Sequence, residues 1–283
     1  MKELGYYNGR IGELSEMTVP MNDRASWFGD GVYDAQLCRN YRIFALDEHV
    51  DRFFRSASMI EITPPFTKEE LKDILRDLVK RMDTGDLMLY YQLTRGGGTR
   101  AHTFPETGKP NLWVTLVPKE VNEGKESVKL VTTEDKRFFY CNIKTLNLLP
   151  SVLASEKAKR AGAHECVFYR PGGRVTECSH CNVHILKGGV LYTAPTDELI
   201  LPGIARAHLI CMCGKLGIPV SETPFNLDEL FAADEVIITS SSNLCMHAHE
   251  IDGRPVGMRA PETYESLRSA LLDEFYAETE AVF

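Results

Sequence analysis

The stretch RVTECSHCNVHILKGGVLYT, Arg174 to Thr193, sets the fold class. Its alternation predicts a strand over Arg174–Thr176 ended by Glu177, a turn of small residues, and a second strand over Asn182–Leu186. Lys187-Gly188-Gly189 then returns the chain as a third strand, Val190–Thr193. Upstream, Glu165–Tyr169 reads as another strand, closed by Pro171-Gly172-Gly173 and preceded by a helix over Ser151–Ala161 that Gly162 stops. Downstream, helices over Ala205–Leu216 and Thr263–Phe275 enclose a strand at Glu235–Thr239. Strands joined by hairpins, with helices at irregular intervals, predict an α+β architecture rather than a parallel doubly wound sheet. No GxGxxG or Walker A pattern opens a dinucleotide or P-loop site.

The first half reads independently. From Tyr6 to about Asn40, short apolar runs broken by Gly and Asn suit strands and turns. Thr67-Lys68-Glu69-Glu70 is a capping box, and Leu71, Ile74, Leu75, Leu78, Val79 and Met82 follow at helical spacing, which predicts an amphipathic helix on a core. Leu87–Thr94 and Leu112–Val117 read as strands around Gly96-Gly97-Gly98. The polar run after Pro118 predicts a linker at 119–124 between an N-terminal domain, 1–118, and a C-terminal domain, 125–283, that carries Lys144.

A chain of 283 residues with 43% hydrophobic and 25% charged residues has the composition of a soluble, core-forming protein, which excludes disordered and collagen-like classes. Its 40 acidic against 32 basic residues, net −8, provide no basic face for nucleic acid or an anionic membrane and favour a small-molecule partner. No run approaches the roughly 18 apolar residues of a membrane span, and the N-terminus has no apolar leader segment, so the reading is cytoplasmic. Eight cysteines without secretory context then read as reduced thiols. Cys178-x-x-Cys181, with His180 and His184, is half of a zinc spacing with no second half, and reads as buried thiols with no metal.

Lys144 lies in an almost uncharged stretch from Tyr140 to Val152. Desolvation there would free a neutral amine to attack a carbonyl, as a Schiff-base lysine must. The same residue could equally be a lysine snorkelling from a half-buried strand. Glu177, at a strand end, could keep a pyridine nitrogen protonated or be a solvated turn residue. Leu201-Pro202-Gly203-Ile204-Ala205-Arg206 enters a helix whose first amides suit a phosphate, and Thr239-Ser240-Ser241-Ser242-Asn243 offers hydroxyls to the same anion.

These residues stand in an order that resembles the class IV, fold type IV, pyridoxal-phosphate aminotransferases, and within them the D-amino-acid aminotransferases. The resemblance runs over nearly the whole chain. It takes in Asn22-Asp23-Arg24-x-x-x-Phe28-Gly29-Asp30-Gly31-Val32-Tyr33, Glu48-His49-Val50-Asp51-Arg52 and Ile143-Lys144-Thr145-Leu146-Asn147. It continues through Glu177-x-x-x-x-Asn182, Leu201–Arg206 and Glu250-Ile251-Asp252-Gly253. It implies a two-domain α+β homodimer with pyridoxal 5'-phosphate in the interdomain cleft. Lys144 would hold the cofactor as a Schiff base and shuttle the Cα proton, and Glu177 would bond the pyridine nitrogen. Arg52, the amides of Ile204 and Ala205, and the hydroxyls of Ser240 and Ser241 would hold the phosphate, and Leu201 would pack on the ring.

The substrate handle lies in Thr94–Pro105, where Arg100 and His102 stand two residues apart and suit a carboxylate. The resemblance implies that they clamp the substrate α-carboxylate with Tyr33, reaching across from a partner subunit. The implied reaction is transfer of an amino group from a D-amino acid such as D-alanine to a 2-oxo acid such as 2-oxoglutarate. The alternatives are a branched-chain L-amino-acid aminotransferase, an R-selective amine transaminase or an aminodeoxychorismate lyase, which lack the Arg-x-His pair. This chain departs from the pattern at several positions. His180 replaces a small residue near the substrate, which would narrow the pocket or let it protonate near pH 6–7, and His184 replaces an aromatic. Ala205 lacks a phosphate-binding hydroxyl, Asp34 stands for Glu, and Leu37 for a longer basic residue.

Overall fold

The computed structural model describes residues 1–106 and 108–281. The chain forms two compact units: Met1–Val121 with Ile143–Asn147 and Phe275–Phe283, and Asn122–Asn142 with Leu148–Glu274. The first unit is built on β1 (Leu4–Tyr7), β2 (Arg10–Glu13), β3 (Gly31–Arg39), β4 (Arg42–Ile43), β5 (Leu87–Thr94) and β6 (Asn111–Pro118). They form one antiparallel sheet in the order β2-β1-β6-β5-β3-β4. In β6 every second residue, Leu112, Val114 and Leu116, is buried, as the period of two requires of a sheet with one dry face.

After the short α1 (Arg24–Phe28), helices α2 (Leu46–Met59) and α3 (Lys68–Val79) supply the rest of this core. The Thr67/Glu70 capping box is formed in both directions, and Leu71, Leu75, Leu78 and Val79 face inward. Helix α2 buries His49, Val50, Arg52, Phe53, Ser56 and Ala57, a regular helical stripe of which half is polar. That polarity hid α2 from the sequence reading.

Strand β4 pairs only with the Cys38–Arg39 end of β3. Beyond it, the other end of β3 pairs with the segment around Lys144: Tyr33 N–H donates to the Lys144 carbonyl (2.9 Å), and Leu146 N–H to that of Gly31 (3.1 Å). A Cβ on Gly31 would lie 2.6 Å from the Leu93 carbonyl oxygen and 2.8 Å from Leu146 Cδ1, so the approach requires glycine. Ile143 completes the anchoring by joining the apolar core. The expectation that Lys144 belongs with the C-terminal domain is therefore corrected, because main-chain bonds and core packing assign its segment to the first unit. The chain end is drawn in too: Arg39 and Asn40 donate to the Thr279 carbonyl, and Phe44 packs edge-on against Phe275.

The second unit holds β7 (Val128–Glu134), α4 (Leu149–Arg160), β8 (Glu165–Tyr169), β9 (Val175–Cys178), β10 (Asn182–Lys187) and β11 (Val190–Thr193). It continues with α5 (Ile204–Leu216), β12 (Val220–Ser221), α6 (Leu227–Ala232), β13 (Glu235–Ser240), β14 (Leu244–Ile251), β15 (Arg254–Pro255) and most of α7 (Pro261–Glu278). The strands form one mixed sheet in the order β12-β11-β10-β13-β14-β7-β8-β9, with β15 added to β14. Edge strand β9 runs straight into β10, far along that order, and Cys178 N–H donates to the Cys181 carbonyl (2.7 Å), so the sheet curls back on itself. Val183, Ile185, Val236 and Ile238 fill the core on one face, while Ile237 turns the other way toward Leu209 of α5 and Leu267 of α7. This is the α+β arrangement expected. Among the described residues no helix is long and apolar enough to cross a membrane.

Candidate active site

In the first unit, Lys144 is half-buried with Nζ 4.4 Å from the centroid of the Tyr33 ring, which itself stacks on Tyr90 at 5.3 Å. Beside the lysine segment, Ser56 of α2 accepts from the Lys144 N–H (3.3 Å). Arg52, 2% exposed, donates from Nε and Nη2 to the two Asp34 oxygens at 2.9 and 2.7 Å, and His49 Nδ1 lies 2.7 Å from Asp34. Burial alone would raise the Asp34 carboxyl, but Arg52 and His49 outweigh it and hold it well below the usual carboxylate range. His49 is pushed down by burial, against the pull of Asp34. The departure at Asp34 thus leaves a complete charged pair under the sheet.

Arg100 and His102 stand exposed on their loop, both gathered on Phe28 of α1: the guanidinium lies 5.5 Å and the imidazole 5.3 Å from the phenyl centroid. Arg24 fastens this loop by donating to the carbonyls of Ala101 and Thr103, and it shares Asp30 with Arg95. Among the described residues, no hydrogen bond joins Arg100 or His102 to Tyr33 or Lys144.

In the second unit, Glu177 lies within β9, 5% exposed. Its Oε2 accepts from Asn182 Nδ2 and from the Leu201 N–H, both at 3.1 Å. Its Oε1 accepts from Arg137 in a close ion pair. Arg137 also binds Asp135 and covers the Phe168 ring at 4.6 Å. The sequence reading passed over Arg137, which lies 40 residues from Glu177. No local pattern marks it, because the second arginine that converges with it on buried Asp135, Arg170, lies 33 residues away and meets it only in the fold.

Asn182 also donates to the Leu201 carbonyl, and a Cβ on Gly203 would meet Asn182 Oδ1 at 2.0 Å, so glycine alone lets this loop seat. Gly203 caps α5 without a side-chain bond, which leaves the amides of Ile204 and Ala205 at an uncapped helix start. α5 packs on β13, which ends at Ser240; the Ser240 hydroxyl lies 3.0 Å from that of Ser242, and Ser241 opens the following turn.

Two histidines that the sequence marked as departures separate here. His184 is fully buried between the hydroxyls of Thr193 and Thr239, each at 2.9 Å, and burial pushes it down to about 3, so it is a neutral crosspiece of the sheet. His180 is half-exposed with Nδ1 2.5 Å from Glu165 Oε2. Burial opposes its charge, but Cys181 and Glu165 outweigh burial and push the imidazole well above its ordinary value. A fully buried carboxylate from β8, Glu165, invisible in the local sequence, pairs with His180 and helps to raise it above the pH 6–7 range expected.

With this geometry in view, the chain belongs to the class IV aminotransferases, whose family model, described as amino-transferase class IV, matches residues 31–251. It is 38% identical to a D-alanine aminotransferase of Bacillus licheniformis over 276 residues, 96% of this chain and 97% of that one. It is 40% identical to one of Listeria monocytogenes over 263 residues, 90% and 91% of the two chains. Among solved structures, a branched-chain aminotransferase from Thermoproteus uzoniensis with norvaline superposes with a TM-score of 0.88 at 26% identity, covering 97% of this chain and 96% of that one. A T.th. branched-chain amino acid aminotransferase complexed with N-(5'-phosphopyridoxyl)-L-glutamate gives 0.87 at 26% identity, covering 98% and 94%.

The His180–Glu165 pair makes stability pH-dependent. The raised imidazole stabilises the fold fully below its unfolded value, near 6.5, and loses that contribution as pH climbs through its folded value; the lowered Glu165 carboxyl contributes fully above about 4.5 and loses that contribution as pH falls through its lower, folded value. The Tm deficit of His180→Gln is expected to be largest between about pH 4.5 and 6.5 and to shrink steadily above that window. Thermal scans of both proteins across pH 4–10 check this, and a deficit independent of pH would refute it.

Proposed function

We propose that the chain is a pyridoxal-phosphate-dependent aminotransferase that moves the amino group of a D-amino acid, such as D-alanine, to a 2-oxo acid such as 2-oxoglutarate. The observation that carries this reading is the likeness to D-alanine aminotransferases over nine-tenths or more of both chains. The side chains fit the cofactor. An anion needs donors, and α5 offers uncapped amides at Ile204 and Ala205, with the hydroxyls of Ser240, at the end of neighbouring β13, and of Ser241 in the turn that follows. A pyridinium nitrogen needs an acceptor, and Glu177 is a buried carboxylate surrounded by donors.

When bound, pyridoxal phosphate supplies an electron-withdrawing ring that takes up the electron pair left at the substrate Cα. The residues then divide the work. Lys144 is the anchoring amine, and its Nζ carries the proton to and from Cα. Arg137 and Asn182 keep Glu177 aimed, Leu201 would pack on the ring, and Arg52, its charge secured by Asp34, would contribute to the phosphate grip. Ala205 contributes only its amide. Arg100 and His102 take the α-carboxylate with Tyr33, and His180, held by Glu165, lines the substrate end.

We also propose a homodimer. Helix α4 turns Leu149, Val152 and Leu153 outward, and Phe138, Phe139 and Tyr140 are exposed in the same unit; a second copy would cover this apolar surface. We place the enzyme in the cytoplasm, where its eight free cysteines stay reduced.

A second reading, a branched-chain L-amino-acid aminotransferase, draws on the solved structures, at lower identity. Absorbance separates the two. The purified protein should show a band near about 410–420 nm that D-alanine removes and L-leucine leaves in place. Removal by L-leucine alone would transfer the assignment to the L-branch. Arg100→Ala should keep the band and raise KM for every amino acid by roughly tenfold or more; unchanged kinetics would exclude the clamp. Light scattering should give twice the 31.9 kDa chain mass, and Val152→Asp with Leu153→Asp should give the single mass.

A further inference from the structure

Glu165, His180 and Cys181 offer a carboxylate oxygen, an imidazole nitrogen and a sulfur whose ligand atoms all lie within 4.8 Å of one another. We propose that these three residues form a binding site for a thiophilic divalent cation of the zinc class, with a fourth position open to solvent. The donor set decides the metal class. A thiolate with an imidazole and one carboxylate suits Zn²⁺ or Cd²⁺ and disfavours Mg²⁺ and Ca²⁺, which take oxygen shells.

The carboxylate is set up as a ligand. Glu165 Oε1 is committed to the Cys166 N–H (2.7 Å) and to a close bond from Ser179, which a second hydroxyl, Ser155, supports at 2.6 Å. Oε2 is turned to His180, meeting its N–H at 3.3 Å and Nδ1 at 2.5 Å. Two of the ligand residues, Glu165 and Cys181, are buried, and the half-exposed imidazole closes the site from outside. Tetrahedral zinc spaces such donors about 3.3–3.6 Å apart, so His180 must withdraw by about 1 Å, which a half-exposed side chain can do. The turn has reason to keep its shape, because Cys178 N–H already bonds the Cys181 carbonyl across it.

The exchange balances in charge. Without metal, a protonated His180, an ionised Glu165 and a neutral Cys181 thiol sum to zero. Zn²⁺ replaces the imidazolium proton and the thiol proton, and both leave to solvent, so the sum stays zero and no unpaired charge is buried. The groups beside these three residues are Ser179, whose hydroxyl lies 3.2 Å from His180 Nδ1, with His164, Cys166, Cys178 and the Ser240 hydroxyl. A thiolate and a neutral imidazole bind metal, so seating the cation releases protons and affinity should rise with pH. Seated metal would also draw Cys181 from Ser240 and clamp the turn beside Glu177 and Asn182, slowing turnover; that clause alone rests on the proposed transamination.

The test uses the cofactor-loaded enzyme, stripped of metal by a chelator and titrated with zinc chloride in thiol-free solution. One zinc per chain should be retained on equilibrium dialysis, with about two protons released per ion and tighter binding at pH 8 than at pH 7. Cys181→Ser and His180→Gln should each weaken retention at least about tenfold, while replacing the exposed Cys211 by Ser should not. If a buried-thiol variant fails to fold, the His180 variant and the proton count still decide. No retained zinc, release of no protons, or equal retention in both ligand variants would overturn the site. The D-alanine activity of the metal-free enzyme judges the transaminase reading separately.

Discussion

The first unit depends on a short backbone ladder between Gly31–Tyr33 and Lys144–Leu146. Because β4 is only two residues long, one end of β3 lacks a strand partner on that side, and a buried main chain without partners is costly. The chain fills the gap with a segment more than a hundred residues downstream, and that segment is the one that carries Lys144. The glycine at position 31 admits it, the core takes Ile143, and the amine emerges over Tyr33 on a backbone held from both sides. A rigid main chain under a long, mobile side chain gives the amine reach without surrendering position.

A second theme is common to both units. Five buried carboxylates are answered by a base, Asp34 by Arg52, Asp135 and Glu177 by Arg137, Glu165 by His180 and Glu235 by His247, while Asp23 is held by neutral donors, the Ala25 N–H, Thr94 and Asn111. Such pairs add little net stability over apolar packing, because desolvation consumes most of the attraction, yet they fix geometry sharply, since losing one partner strands the other. The arrangement is one that favours aim over strength, as a site that handles protons and phosphate requires.

How much of this is legible in the sequence follows from where the partners lie. Strands at Glu165–Tyr169 and Val190–Thr193, and the α3 helix with its cap, are local patterns, and they read out directly. Lys144 and Glu177 are legible as candidates because an isolated charge in an apolar or small-residue run is conspicuous. α2 is not, since its inward stripe includes His49, Arg52 and Ser56, and periodicity counted on apolar residues breaks there. β14 fails for a related reason, with histidines at 247 and 249 interrupting a strand that is otherwise apolar. Arg137 and Glu165 are ordinary residues in one dimension. They acquire meaning only when β8 and β9 pair and bring distant charges together.

The seam at the chain end bears on the order in which the protein can be made. The unit that opens at Met1 closes with Asn147 and then with Phe275 and Thr279, the last turn of the final helix. A ribosome delivers these pieces far apart in time, so the first sheet emerges with one strand end and part of its apolar surface uncovered until residues 143–147 and then 275–279 have followed. The second unit, though later in sequence, is contiguous except for the lysine segment and can settle first. The unit begun first is thus the unit finished last, and a change at Phe275 or Thr279 would be felt at Phe44 and Arg39, more than two hundred residues earlier.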